Sequence, residues 1–392
     1  MKGRVLGMRQ HEGLAFPIAE YERRLGELRT RLIASGVDVL LSTTPENITY
    51  LTGFESPGHY WFQGLIVPLS GEPIAVSRLL ETSGVEAYSC VEHNLAYSDS
   101  QDPMERLCDA FGEFGLAGKR VGFEMDCWFF TAKQQARLFS LMPSTTFVDL
   151  SGIVEEGRLI KSDLEVDLIR EAARTTEAGI RAGIKAVGEG VSEDDVAAEI
   201  HHAMIRAGSE WPSIVPFVAS GERGAIGHAT WLHRTLRRGD SVFLEVGGCK
   251  RRYHAAMMRT CYVGEPDIAI RDAFQVVLDA FDTAADAIKP GVTAGEVDRV
   301  AREFIAGTGL GGDQASRVAY SIGIAVPPDW GEGQILSMKP GVTRELETNM
   351  TFHLLPWVQI PGKGGVGCTE TIRVTETGYE SLTDFPRELF VR

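Results

Sequence analysis

The chain has 392 residues, 44% hydrophobic and 24% charged, with a formal net charge of −15, enough for two medium domains and without a basic face for nucleic acid. No apolar run reaches the ~18 residues of a spanning helix, and MKGRVLGMRQHEGLAF lacks an apolar signal core, so neither membrane insertion nor export is expected. The six cysteines have no CxxC spacing and read as reduced thiols of a cytoplasmic protein.

The stretch from Ile18 to Ser35 predicts an amphipathic helix ended by Gly36. VDVLLST predicts a buried strand, and Pro45-Glu46-Asn47 a turn into ITYLTGF. WFQGLIVPLSGEPIAV predicts a hairpin on Ser-Gly-Glu-Pro. A helix near Pro103–Phe114 and the strand KRVGFEM continue an alternating order to about Glu155. The expected fold class is α/β (α+β), with an N-terminal α/β domain over residues 1–157 and a C-terminal domain over 158–392. The first domain has no phosphate-cradling glycine loop.

The texture changes at Leu159. Ser162 and Glu165 have capping-box spacing, and Leu164, Leu168, Ala172, Ile180 and Ile184 form a stripe, so a long helix is expected. Ser192 opens a second helix closed by Gly208. A loop bearing His228 then leads to SVFLEV, where Val242, Leu244 and Val246 alternate with Ser241, Phe243 and Glu245. If the aliphatics pack under helices, Glu245 faces a cavity, where an ionised carboxylate needs a donor or a cation. On the next strand His254, Ala256, Met258 and Thr260 share a face, bringing an imidazole toward that carboxylate. The plainer alternative is a surface carboxylate and satisfied histidines.

Two more helices, Ile268–Ala287 and Ala294–Ala306, precede a glycine-rich loop and further strands, which suggests internal duplication of helix–helix–strand–strand units about a pseudo-two-fold axis. On MTFHLLPWVQ, Thr351, His353 and Leu355 share a face. Glu370 shares its face with Ile372 and Val374, so pairing with an arginine at a strand edge is the alternative to a role in the site.

The motifs IKSDLEVDLIREAA, VASGERGAIGHA, LEVGG with YHAAMMRT, YSIGIAV, MTFHLLP and GGVGCTETIRVTETG occur in an order that resembles the creatinase/aminopeptidase P/methionine aminopeptidase family. The resemblance implies the pita-bread fold from about Leu159 onward, preceded by the family's N-terminal domain over Ile18–Glu155. Metal-bearing relatives carry two Asp, one His and two Glu as ligands. The matching positions here are Glu245, Ala256, Tyr320, Leu355 and Thr369, with Glu370 adjacent to the last. One or two carboxylates do not make a dinuclear site, so a member without metal or other cofactor is implied.

His228 matches the loop histidine of creatinase, but Met258 stands where creatinase has a glutamate. A third, metal-free branch, the ectoine hydrolases, is similar in GHATWLHR, LEVGG, YHAAMMRT and GCTETIRVT. That similarity implies a small-molecule substrate, the cyclic amidine of ectoine, opened to N-acetyl-2,4-diaminobutyrate, a product for a downstream deacetylase. Glu245 would then be the ion partner and the general base or nucleophile, and His228 or His254 the proton shuttle. Glu370 is the second carboxylate. His353 and the aromatic side chains Trp61, Phe217, Tyr320, Trp231 and Trp357 would line a cationic substrate. The family also implies a homodimer in which the edge His59–Trp61 reaches the partner's site. Competing readings are a creatinase-like amidinohydrolase, a metal-dependent Xaa-Pro peptidase or dimethylsulfoniopropionate lyase, and a metal-free binding module. The missing ligands count against the metal-dependent enzymes, and an inward carboxylate with several histidines against the module.

Overall fold

Period-2 and helical patterns become elements throughout the computed structural model, which describes residues 8–310 and 317–392. The chain divides into two compact units between Arg158 and Leu159. Part of the glycine-rich loop expected after the Ala294 helix lies outside the described residues.

In the first unit six strands form one sheet, β1 (Val39–Ser42), β2 (Gly64–Pro68), β3 (Ile74–Arg78), β4 (His93–Tyr97), β5 (Arg120–Phe123) and β6 (Thr146–Asp149). Their order is β4-β3-β2-β1-β5-β6, with β2 antiparallel to both neighbours, as the hairpin reading expects. Val39, Leu41, Ile66, Val76 and Val121 bury one face against Leu107 and Phe111 of the helix Pro103–Glu113. Each such aliphatic or aromatic side chain contributes about 1.5–3 kcal/mol when fully buried.

One expectation is corrected here. Pro45–Thr52 is a helix, where the sequence suggested a turn. Proline is well placed at its start, and the residues that lead into it are anchored from far along the chain. Glu124, at the end of β5, accepts the backbone N–H groups of Thr43 and Thr44 at 2.7 Å each, and also Ser42 Oγ and Asn47 Nδ2. Burial, reinforced by Glu155, pushes the Glu124 carboxyl up to about 7.

The second unit carries two helix pairs, Asp163–Ala186 with Glu193–Arg206 and Ile268–Ala287 with Ala294–Gly307. Ser162 makes the expected capping box with Glu165. The stripe is rotated at its start, however: Val166 and Ile169 are buried and Leu164 is exposed. The strands that follow are β7 (Phe217–Ser220), β8 (Ser241–Lys250), β9 (Tyr253–Tyr262), β10 (Ala319–Ser321), β11 (Ser337–Met338), β12 (Thr351–Leu354), β13 (Trp357–Ile360), β14 (Gly364–Gly367), β15 (Glu370–Val374), β16 (Tyr379–Ser381) and β17 (Phe390–Val391). They make sheets ordered β17-β9-β8-β7 and β11-β10-β12-β15-β16, beside the hairpin β13-β14. MTFHLLPWVQ is two strands because Pro356 has no N–H to give a ladder.

Each larger sheet lays one face under a helix pair. Val242, Leu244 and Val246 pack with Ile180, Ile184, Val196 and Ile200. Phe352, Leu354, Ile372 and Val374 pack with Phe281, Ala284, Val297 and Ala301. The opposite faces therefore carry Glu245 and His353. The sheets join at a seam along β9, where threonine hydroxyls replace ladder bonds. Met258 N–H donates to Thr369 Oγ1 at 2.8 Å, Ala256 N–H to Thr371 Oγ1 at 2.9 Å, and Thr371 Oγ1 to the Ala256 carbonyl at 2.9 Å.

Beside this seam, a buried ion pair fixes the loop between β10 and β11. Lys161 Nζ meets Glu332 Oε2 at 2.5 Å, both side chains 1% exposed. Glu332 also accepts Ser321 Oγ at 3.3 Å and the Ile324 N–H at 3.1 Å.

Candidate active site

Register sets the site. Ser337, Tyr320, His353 and Thr371 are successive partners across β11, β10, β12 and β15, so their side chains share one face of that sheet. Glu245, on β8, comes within 4.0 Å of His353 through its Oε1 and the imidazole Nδ1. That is a contact, too long for a direct hydrogen bond. Nor is it an ion pair: burial pushes the imidazole down to about 3, with Arg317 adding to the effect. Burial and then the charge of Asp329 push the Glu245 carboxyl up to about 8. At neutral pH both groups are uncharged, as desolvation demands.

His353 sits inside a chain of hydrogen bonds. Trp330 Nε1 donates to Tyr320 OH at 2.7 Å, Tyr320 OH meets His353 Nδ1 at 2.8 Å, and His353 Nε2 meets Thr369 Oγ1 at 2.6 Å. The indole and the Met258 amide can only donate, so each hydroxyl already accepts one bond. A neutral imidazole has a single N–H. The chain therefore runs either from Tyr320 through His353 to Thr369 or in the reverse sense. Moving one proton at each of its members interconverts the two.

Phe217, the register partner of Glu245, forms a buried apolar wall with Ala256, Tyr320, Ile322 and Trp330, flanked by Leu355 and Phe243. His228 is exposed, takes a positive φ of 61°, and stacks on Phe217 with centroids 5.4 Å apart. Positive φ is sparsely populated by non-glycine residues and often marks a functional loop. Buried Glu193 holds that loop: it accepts Ser220 N–H at 2.8 Å, Ser220 Oγ at 2.6 Å and Leu232 N–H at 2.9 Å, and pairs with Arg223.

Five expected residues, Glu245, His228, His353, Phe217 and Tyr320, are thus brought together. Two others are not. His254 lies opposite Cys249, four positions along β9 from the Met258 that faces Glu245. Its Nδ1–H donates to the Arg252 carbonyl at 2.8 Å, and Nε2 accepts the Ser213 N–H at 3.2 Å. Burial, then Arg252, hold it far below the usual imidazole range. This is a satisfied core histidine, the plainer alternative, and no proton shuttle. Glu370 points away from the face of Thr369, with its oxygens taken by Arg259 and Thr383. The arginine pairing considered from sequence is what holds it.

Trp61, in the first unit, is 39% exposed, with the Arg78 guanidinium 4.3 Å from its ring centroid. Trp357 packs behind Phe243, and Trp231 against His201. Sequence reasoning missed Trp330 and Asp329. They lie in a loop without periodicity, and only the presence of a Trp beside Pro-Pro-Asp marked it.

The ligand positions of metal-bearing relatives are filled here by one carboxylate, two hydroxyls and two apolar side chains. Ala256 and Leu355 belong to the apolar wall, and Thr369 Oγ1 is committed to the seam. Among the described residues, no three His, Cys, Asp or Glu side chains group as a metal site would require. This donor set does not fit a dinuclear cation centre.

Comparison with known proteins agrees with this architecture. Residues 167–376 match the model of metallopeptidase family M24, and residues 24–160 that of the creatinase/prolidase N-terminal domain. An ectoine hydrolase of Halomonas elongata is 32% identical over 97% of this chain and 99% of its own. An uncharacterised hydrolase/peptidase of Sinorhizobium fredii is 32% identical over 97% and 99%. The dipeptidase PepE of Mycobacterium ulcerans superposes with a TM-score of 0.81 at 27% identity, covering 96% of this chain and 99% of that one. A prolidase of Thermococcus sibiricus gives 0.84 at 26% identity, covering 95% and 99%. With more than half its length inside the family model and its strands in the order of these enzymes, the chain is a hydrolase of the M24 family, a pita-bread domain preceded by a creatinase/prolidase-type domain.

Proposed function

We propose that the protein is a metal-independent hydrolase of a cyclic amidine, opening the ring of ectoine to N-acetyl-2,4-diaminobutyrate. The observation that carries this reading is the Glu245 carboxyl, the one carboxyl among the five ligand positions, 4.0 Å from a neutral His353. The 32% identity to an ectoine hydrolase supports it.

A protonated amidine is a planar cation. Beside Glu245 it would restore the charge on the carboxylate, and Phe217 and Trp330 offer it aromatic faces. Glu245 then takes a proton from water that attacks the carbon between the two nitrogens, or attacks that carbon itself. One C–N bond breaks, the departing nitrogen takes up a proton, and amidine plus water becomes amide plus amine. His228, exposed over Phe217, would exchange protons with solvent.

Purified protein should convert ectoine to the ring-opened amide at an undiminished rate in EDTA, as followed by NMR. Elemental analysis should find no stoichiometric transition metal. Two metals per subunit, or activity lost in EDTA and restored by Mn or Zn, would overturn the reading.

The pH profile is a second check. In the free protein the Glu245 carboxyl, raised to about 8, is mostly protonated at neutral pH, so kcat/KM should climb as pH rises through about 8. A bound cation lowers that value, so the limb of kcat should lie at lower pH. A kcat/KM limb at the ordinary carboxylate range would show that Glu245 is not desolvated.

A further inference from the structure

We propose that Arg317 anchors a carboxylate of the substrate, at the end of the site remote from Glu245. Its guanidinium lies 4.3 Å from the centroid of the Tyr320 ring, whose hydroxyl belongs to the His353 chain. Its Nη1 donates to Ser337 Oγ at 3.2 Å, and Ser337 is the register partner of Tyr320 on the same sheet face. Arg317 thus continues the row Ser337–Tyr320–His353 that ends beside Glu245.

The loop beneath is shaped for it. At Gly333 a Cβ would stand 2.2 Å from Arg317 Nη1, and at Gly331 one would stand 2.6 Å from the Tyr320 ring. Any side chain there would displace the guanidinium or the ring it covers.

Among the described residues, no acid pairs with Arg317. Arg223, Arg234 and Arg259 of the same unit each pair with a carboxylate, at Glu193, Asp240 and Glu370. No carboxylate among the described residues stands within 4.0 Å of Arg317. A guanidinium has five donors in a planar fork matched to a carboxylate, and one bond to a hydroxyl leaves most of them for a ligand. Its charge also bears on His353 and Tyr320, the lesser cause that holds the imidazole down and a weaker influence on the phenol. An incoming carboxylate would offset that charge and make His353 more basic once substrate is bound.

The inference deepens the amidine reading and rests on it for the cationic end alone. A substrate with a cation for Glu245 and an anion for Arg317 is a zwitterion, a cyclic amidine carboxylic acid. Neutral-tailed amidines of the same ring would lack the second anchor.

Binding measured by calorimetry tests this without turnover, on wild type and Arg317→Met. Ectoine should bind the variant about 10- to 100-fold more weakly, the loss of hydrogen bonds to a charged group. The same ring without its carboxylate should bind both proteins weakly and equally, and Arg317→Lys should recover part of the affinity. Unchanged ectoine affinity in a folded Arg317→Met, or an equal loss for both rings, overturns the assignment. If wild type binds no amidine, the amidine reading fails separately, and dipeptides with free and amidated C-termini replace the rings. A preference for the free carboxylate that Arg317→Met abolishes then supports the anchor. No such preference, or no binding by wild type, overturns it.

Discussion

Glu245→Gln should yield a folded protein whose kcat falls by about 10²–10⁴-fold, the usual loss when a general base or nucleophile is removed. Glutamine keeps the shape of the side chain but has no proton affinity to offer water and no charge to hold a cation. Substrate binding should weaken together with turnover. Stability should move the other way. The folded carboxyl titrates at about 8 and an unfolded one near the ordinary 4.5, so the folded state binds more protons between those values. Wild-type stability therefore falls as pH rises across that window, and the amide has no such dependence. Thermal melts at pH 5 and pH 9 should show wild type losing ground to the variant at the higher pH. A group that costs stability yet is needed for turnover is kept for function. If Glu245→Gln hydrolyses ectoine within about threefold of wild type, the assignment of Glu245 fails, and Asp329 becomes the carboxylate to test.

Lys161→Met should destabilise the second unit by about 3–5 kcal/mol, because it removes the lysine cation that pairs with the buried Glu332 carboxylate. For a unit of this size the melting temperature should drop by roughly 6–20 °C. Glu332 still accepts from Ser321 and Ile324, but those bonds do not neutralise it. Lys161→Met combined with Glu332→Leu should recover most of the loss, as apolar replacements of buried pairs often do. A single-variant loss under about 1 kcal/mol would mean that the pair is hydrated, and the argument for it would fall. Activity should suffer alongside stability, because the braced loop carries Trp330 and its bond to Tyr320.

How much of this was legible depended on whether the cause was local. Glu245 could be found from six residues, because Val242, Leu244 and Val246 fix its face by alternation alone. His353 needed more than alternation, because it shares a face with Leu355, which is a ligand position only through the family resemblance. The helix Pro45–Thr52 was hidden because Glu124, which anchors the two residues leading into it, lies about eighty residues away and no local pattern encodes it. His254 was misjudged because parity gives direction along a strand without saying what waits there. Its partners are the Ser213 amide and a carbonyl in a turn whose two arginines take positive φ, 49° and 65°. Glu370 shows the same limit, since Arg259 and Thr383 reach it from other segments. Trp330 had no periodicity to betray it, being held by a loop whose shape is set by Lys161 and Glu332.

The threonine seam constrains the history open to this chain. Thr369 occupies a ligand position of the metal-bearing relatives, yet its hydroxyl now receives the Met258 amide and touches His353. Restoring a glutamate there would take away a buried acceptor and bring a second acid toward Glu245, with no cation yet present to offset either cost. Reverting Ala256 alone would put a carboxylate into the apolar wall. Each single step back toward a metallohydrolase thus passes through a less stable protein, and the benefit arrives only after several. On the metal-independent reading proposed above, the site would act as a ratchet, easier to leave the metal than to return to it.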